Sequence, residues 1–444
     1  MRSRTARLLA SALVAALAAA ACSENKEVEA SGGAQRRSTT TSEPDGCDPP
    51  EPVVTCRAPG GTLDPYLPES PVKAEGEPIK VGTINQETGA TGAYPELTMA
   101  DRAAVAFINA ELAGLDGRPI QLVECDTEFS PAGSQSCAQK MVDEGVVAVV
   151  GGIDVFGTGI DVLEQNGIPF VGGIPISMAS VQNPISFQFS GGSWGAMLAF
   201  ADFAANELGA KRVSILYGDF GSIADAAQYG RRALESLGVS EVKMVPMPLA
   251  GADFLPLMTT AADIDPDAVI SLTADTGCVP TFQAAHDLDL RAEILITGAC
   301  AAPKIVDDAG EDLVEGAYFN TEGPVNPDPP LPDSSLYNAV IARYGEGVPP
   351  ASAATVSFRA FMNLYVQMRE IGAAALTPGA IIDSLRAARD FPSFNGHPYT
   401  CDGEQIAGLP SICSPQQILA RREGGTLRQV TDWIQVGGLA ERSA

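Results

Sequence analysis

Histidine is nearly missing from this chain, with only His286 and His397 among 444 residues. No C-x-x-C pair occurs either, so the nitrogen and sulfur ligands of a zinc site are not at hand. Cations are scarce, with 28 Lys and Arg against 55 Asp and Glu and a formal charge of −27. Phosphate binding needs clustered Lys and Arg, so this balance excludes nucleic acid as a partner and leaves a soluble, self-repelling surface. The Gly-rich run GATGAY at 89–94 has neither a following G-K-[ST] nor the G-x-G-x-x-G spacing, which argues against a nucleotide cradle. The acidic runs DIDPD and DDAGED lack the ligand spacing of a calcium loop. No cofactor and no metal are therefore expected. What the chain has in quantity is apolar residues, 45% of the total, with 45 Gly and 33 Pro, enough for two or three globular units rich in turns.

The N-terminus reads as an address. Arg2, Arg4 and Arg7 precede LLASALVAALAAAAC, too short and Ala-rich for a membrane span but suited to a secretory signal over residues 1–21. Ala19-Ala20-Ala21-Cys22-Ser23 resembles the bacterial lipobox, with Ala19 where Leu is usual. Lipid on Cys22 would anchor the protein to a membrane face, whereas plain A-x-A cleavage would release it. Residues 22–76 follow as a tether, polar and Ser/Thr-rich at first and Pro-rich later, with no apolar period. Eight further cysteines fall in neighbouring pairs: Cys47 with Cys56, Cys125 with Cys137, Cys278 with Cys300, and Cys401 with Cys413. Short loops close most easily, so this pairing is the disulfide set expected in an oxidising compartment.

From residue 78 the pattern becomes regular. IKVGTIN, QLVECD, VVAVVGG and PFVGG read as short buried strands, separated by YPELTMADRAAVAFINAEL, SQSCAQKMVDEG and GTGIDVLEQNG at helical spacing. The theme restarts after FQFSGG with WGAMLAFADFAANELG, RVSILYG, VKMVPMP, AVISLTA, EILITG and GAYFNT. Residues 334–388 read as mainly helical and 400–436 as a short β-rich return. Strands alternating with helices predict an α/β fold of two doubly wound parallel-sheet lobes.

The order IKVGTIN, GATGAY, INAELAGLDGRPIQLVECDTEFSP at 108–131, VVAVVGG, NGIPFVGG, KRVSILYGDFG and DPDAVISLTA resembles the leucine/isoleucine/valine-type periplasmic binding proteins of type I fold, across about residues 78–437. That resemblance implies a substrate-binding protein of an ABC transporter, with two lobes joined by a three-crossing hinge. Lobe one is expected over 78–190 and 323–388, and lobe two over 191–322 and 389–437. It further implies an extracytoplasmic, bacterial, monomeric protein that closes on a small amino-acid-like or amphipathic solute and delivers it to permease subunits. A sensor module working with a membrane receptor would share the fold.

Ligand residues are expected at the carboxyl ends of the strands. Thr91 and Tyr94 lie in the first loop. Asp154, Val155 and Phe156, and then Ile174, Pro175 and Ile176, occupy the loops that in the resembled receptors hold the ligand carboxylate. Both loops are more apolar than the pattern. On lobe two, Gly298 stands in a stretch without the acidic residue of the amino-acid receptors, leaving Asp219 and Asp275 as carboxylates that either face the cleft or cap helices. Trp194, near the first crossing, could stack on a solute. An apolar wall with few charges suits an amphipathic or neutral solute, because an unpaired buried ammonium is costly.

Gly191-Gly192-Ser193-Trp194-Gly195 fits G-x-S-x-G, which would make Ser193 the nucleophile of a secreted hydrolase. The segment coincides instead with the first crossing, where Ser193 is expected to cap a helix and Gly191 and Gly192 to permit rotation. The reading is therefore a binding protein and not an enzyme.

Overall fold

A computed structural model describes residues 51–89, 92–248, 251–349 and 352–439. The signal segment, Cys22, Cys47 and Thr91 lie outside the described residues. The strands are β1 Ile79–Asn85, β2 Ile120–Asp126, β3 Val149–Gly151, β4 Phe170–Val171, β5 Ser186–Phe187, β6 Arg212–Gly218, β7 Glu241–Met247, β8 Ala268–Leu272, β9 Glu293–Ile296, β10 Tyr318–Thr321, β11 Ile418–Glu423 and β12 Thr426–Gln429. They form two sheets. The first is parallel in the order β2-β1-β3-β4-β5, and the second runs β12-β11-β10-β9-β8-β6-β7.

Parallel strands need helical crossovers, which cover both faces and explain why the strands read as unbroken apolar runs. All five residues of β8 are buried. Register holds the two faces in place: Ile79 pairs with Ile120 and Val213 with Ala268. The helices begin and end where local chemistry dictates. Pro95 opens the helix Pro95–Glu111, and Ser130 Oγ accepts from the Gly133 N–H ahead of the helix Pro131–Glu144. That second helix stops at Gly145, whose φ of 67° suits glycine.

The lobe-two sheet departs from the expected all-parallel layout, because β11 and β12 run antiparallel at its edge. A strand that returns from the other lobe enters from the opposite end, so it meets β10 head to tail. Each sheet has its own core. The first gathers Phe107, Phe170, Phe358, Phe361 and Leu364, and the second gathers Trp194, Phe200, Ile215, Ile270 and Leu419. Phe394, Tyr399 and Cys401, expected in the return to lobe two, are instead buried in the first core. The chain enters the second core only from Ile406.

Three of the four expected disulfides are formed, Cys125–Cys137, Cys278–Cys300 and Cys401–Cys413. Cys56 is also disulfide-bonded, its expected partner Cys47 lying outside the described residues. Among the described residues no helix is long and apolar enough to cross a membrane.

The tether does not extend to residue 76. Residues 51–76 pack on the first lobe, burying Val53, Val54 and Leu63. The Val54 N–H donates to Glu111 Oε2 at 3.0 Å, and Thr62 donates through its N–H and its hydroxyl to the two Asp333 carboxylate oxygens, each at 2.8 Å. The Tyr344 hydroxyl donates to the other Glu111 oxygen at 2.6 Å. This strap was invisible as structure because three apolar residues in a Pro-rich stretch carry no period. A chain starting at residue 77 is expected to be less stable than one starting at 51 by about 2–5 kcal/mol, from the lost apolar burial. Urea unfolding midpoints of the two would measure it, and equal midpoints would show that the strap adds nothing.

Asp101 is fully buried between β1 and the helix Ala354–Ile371. Thr83 Oγ1 and Ser357 Oγ each donate to it at 2.8 Å, yet burial still pushes its carboxyl up to about 7. The folded state therefore binds more protons than the unfolded state from the ordinary carboxylate value of 3.8 up to about 7. Stability should fall as pH rises through that window and level off above it. Asp101→Asn is expected to flatten that slope and to gain about 1–3 kcal/mol at pH 8, measured by denaturation across pH.

Candidate functional site

The parallel strands of both sheets end in loops that meet between the lobes. On the first lobe Asn85, the last residue of β1, ties two of these loops and the helix Pro95–Glu111 together. Its Nδ2 donates to the Tyr94 carbonyl at 2.7 Å and to Thr98 Oγ1 at 3.1 Å, and its Oδ1 accepts from the Ile153 N–H at 3.0 Å. Next to it, Gln86 is 1% exposed, and its Nε2 donates to the Gly92 carbonyl at 2.7 Å. Gln86 Oε1 has no partner among the described residues, although an unpaired buried acceptor is costly. That leaves an acceptor at the cleft end of the strand. Gln86 was missed in the sequence, where a polar residue closing the apolar run IKVGTIN was the available signal.

Tyr94 and Asp275 come together from opposite lobes. A Cβ added at Gly92 would lie 3.0 Å from Tyr94 Oη and 3.2 Å from Asp275 Oδ1, so the two side chains converge over this glycine. Asp275 opens the helix Asp275–Asp287, where its Oδ1 accepts from the Thr276 N–H at 2.8 Å. Burial raises its carboxyl, with that N–H and Lys304 acting the other way. Tyr94 is also raised, first by burial and then by the charge of Asp275, against the Asp275 backbone N–H. Glu96 joins them, raised by burial and by Asp275. Two carboxyls and a phenol thus share one half-buried place, which is short of hydrogen-bond donors.

The remaining expected residues sort by what holds them. Ile174 and Ile176 are half-buried, and the Ile176 carbonyl accepts from Ser222 Oγ across the lobes. Pro175 is buried, and its carbonyl would lie 2.2 Å from a Cβ at Gly192, whose φ of +54° suits glycine. Val155 and Phe156 are half-buried, with Phe156 against Phe129 at 5.3 Å. Gly298 donates its N–H to Asn320 Oδ1 at 2.9 Å and sits so close to the Asn320 carbonyl that a Cβ would be 2.2 Å away. Its role there is packing against β10.

Two assignments need correction, those of Asp154 and Trp194. Asp154 is spent on its own loop, accepting from Ser134 Oγ at 2.6 Å and the Gly157 N–H at 3.0 Å, which leaves little of it for a solute. Burial raises it, and these donors pull the other way. Trp194 is wholly buried in the second core, where its ring cannot stack on a solute. Its apolar neighbours Met197, Leu198 and Phe200 lie on the same helix, one buried nearly all round. Asp219 is exposed at the end of β6, its N–H donating to the Met247 carbonyl, and no contact brings it to Tyr94 or Asp275 among the described residues.

Ser193 is not the cap of its helix. The helix Gly192–Asn206 has Gly191 as its cap, and Ser190 Oγ accepts from the Gly192 N–H at 3.0 Å. The helix thus starts without a side-chain cap, and the hydroxyl nearest its first N–H groups is that of Ser190, ahead of the cap position. Among the described residues no hydrogen bond joins Ser193 to a histidine: His286 is exposed, and His397 contacts the Pro398 carbonyl and Gln435. Nor are three His, Cys, Asp or Glu gathered as a metal would require, among the described residues.

The family model described as "Periplasmic binding protein" matches residues 78–408. No curated protein matches the chain. Among solved structures, a leucine binding protein LivK from Thermotoga maritima is 20% identical over 80% of this chain and 98% of its own, with a TM-score of 0.64. The branched-chain amino acid transporter substrate binding protein LivJ from Streptococcus pneumoniae, in complex with isoleucine, is 18% identical over 80% of this chain and all (100%) of its own, with a TM-score of 0.66. A solute binding protein of an ABC transporter from Rhodopseudomonas palustris, in complex with p-hydroxybenzoic acid, is 21% identical over 82% of this chain and 100% of its own, with a TM-score of 0.68. At these identities the likeness is one of fold. The match to the family model covers most of the chain, which therefore belongs to the periplasmic binding protein family as an extracytoplasmic solute-binding protein and not an enzyme.

Proposed function

We propose that the protein captures a small amphipathic solute between its lobes and hands it to the permease subunits of an ABC importer. The observation that carries this reading is the convergence of Tyr94 from one lobe and Asp275 from the other over Gly92. A solute placed there is touched by both lobes, which is what makes closure depend on binding. Ile174, Ile176, Val155 and Phe156 supply an apolar wall for its body. Asp275, the Tyr94 oxygen and the unpaired Gln86 Oε1 call for a donor at its other end, an amine or a hydroxyl. The isoleucine and p-hydroxybenzoate in the two structural relatives each join an apolar body to such a group.

We place one lobe at 78–190 with 323–401 and the other at 191–322 with the rest, because Phe394, Tyr399 and Cys401 pack in the first core. In this reading Cys22 carries the lipid, the protein works as a monomer, and residues 23–50 form the tether.

A thermal-shift screen of the chain from residue 51 tests the proposal with amino acids, amides, aromatic acids, nucleosides and sugars. Saturable stabilisation of about 2.7 kcal/mol is expected at a hundredfold excess over Kd for compounds joining an apolar body to an amine or hydroxyl. No shift with any class, in folded protein stripped of carried-over ligand, would sink it. With the compound so found, Tyr94→Phe and Asp275→Asn are each expected to weaken binding about 5–30-fold while leaving the unliganded unfolding free energy within about 0.5 kcal/mol. Calorimetric titration measures the first and denaturation the second. Unchanged affinity in both variants would place the solute elsewhere in the cleft.

A further inference from the structure

The chain crosses between the lobes three times, and one side chain touches all three passes. Glu322 follows β10 on the second crossing, and its carboxylate is nearly buried at 12% exposure. Its Oε1 accepts from Ser190 Oγ at 2.6 Å, on the first crossing, and from Gln417 Nε2 at 3.0 Å, on the third. Its Oε2 accepts from Arg359 Nη2 at 2.6 Å, and its backbone carbonyl accepts from Arg359 Nη1. Arg359 belongs to the helix Ala354–Ile371 of the first core and is buried there, as are Ser190 and Gln417.

The first and third crossings already share backbone bonds, the Gln188 N–H donating to the Ser411 carbonyl and the Cys413 N–H to the Gln188 carbonyl, both at 2.8 Å. The second and third share the β10–β11 ladder and the bond from Asn320 Nδ2 to Gln417 Oε1 at 2.9 Å. Ser190 to Glu322 joins the first to the second. The triangle is closed at the carboxylate, and the charge that lets a carboxylate sit there comes from the first lobe.

We propose that Glu322 is the positioning residue of the hinge, holding the three crossings as one pivot so that the lobes swing as rigid bodies. It touches no expected solute contact and acts through the crossings alone. The idea rests on reading the cleft as one that closes, but its test uses solute-free protein, so a failed solute screen leaves it standing and its own failure leaves the screen standing.

The experiment is amide hydrogen exchange of the chain from residue 51, followed by mass spectrometry, for wild type, Ser190→Ala, Glu322→Ala and the double variant. In Glu322→Ala, exchange in segments 188–195, 320–325 and 411–418 is expected to rise together by at least tenfold, while strands β1 and β6 keep their protection. Ser190→Ala also frees the Gly192 N–H within 188–195, but in 320–325 and 411–418 it is expected to add nothing on the Glu322→Ala background, because its hydroxyl reaches those passes through that carboxylate. A rise confined to 320–325, equal loss throughout the strands, or additive effects in 320–325 and 411–418 would overturn the proposal. Should Glu322→Ala fail to fold, Ser190→Ala alone decides: a joint rise in all three segments supports a pivot, and one confined to 188–195 overturns it.

Discussion

A carboxylate taken out of water must be answered by charge and hydrogen bonds, and at Glu322 the answers come from three separated parts of the chain. Arg359 supplies the charge, and Ser190 and Gln417 the remaining donors. Each partner can reach it only if the lobe or crossing that carries it is in place. The two sheets, their cores and the loops at their carboxyl ends are therefore referred to one point. A buried pair of this kind gives little net stability, since desolvation offsets most of the attraction, but removing either member is expensive. Its effect is to make one arrangement of the crossings far better than its neighbours.

Glycine does the complementary work. Gly192 takes a φ of +54° with the Pro175 carbonyl where a Cβ would sit, and Gly191 leaves room for the Pro415 carbonyl, 2.7 Å from an added Cβ. Side chains at these positions would push apart the passes that Glu322 draws together. The same economy appears at the cleft, where the bare backbone of Gly92 lets Tyr94 and Asp275 approach. Close passes without side chains let polar groups meet, and polar groups fix how the passes lie.

Much of the fold was legible because periodicity and burial share a cause. Runs such as AVISL are unbroken apolar because both faces of a parallel strand are covered, and short-range cysteine pairing followed from cheap loop closure. The strap over 51–76 was not legible. Val53, Val54 and Leu63 bury themselves one at a time against a surface built by Glu111 and Asp333, far along the chain, and no local pattern announces that. Phe394 and Tyr399 were assigned to the wrong lobe for a similar reason, since an irregular segment shows its apolar residues but not which core receives them.

The proposed site was legible in position and only partly in chemistry. Strand ends located the loops, and on that proposal Tyr94, Asp275 and the two isoleucines are the residues that meet the solute. Whether a given Asp is free, however, depends on donors that other loops bring to it. Asp154 and Asp275 both sit just past strands, yet Ser134 and the Gly157 N–H occupy one, while the other faces Tyr94 with a single backbone donor. Trp194 shows the same limit in apolar form, because a ring beside a hinge and a ring inside a core have the same sequence neighbours. What separates them is how completely the helix Gly192–Asn206 is wrapped by the second lobe. On the proposed reading, the solute's identity is written in the few polar atoms with acceptor capacity to spare, Gln86 Oε1 and the carboxyl of Asp275 first among them.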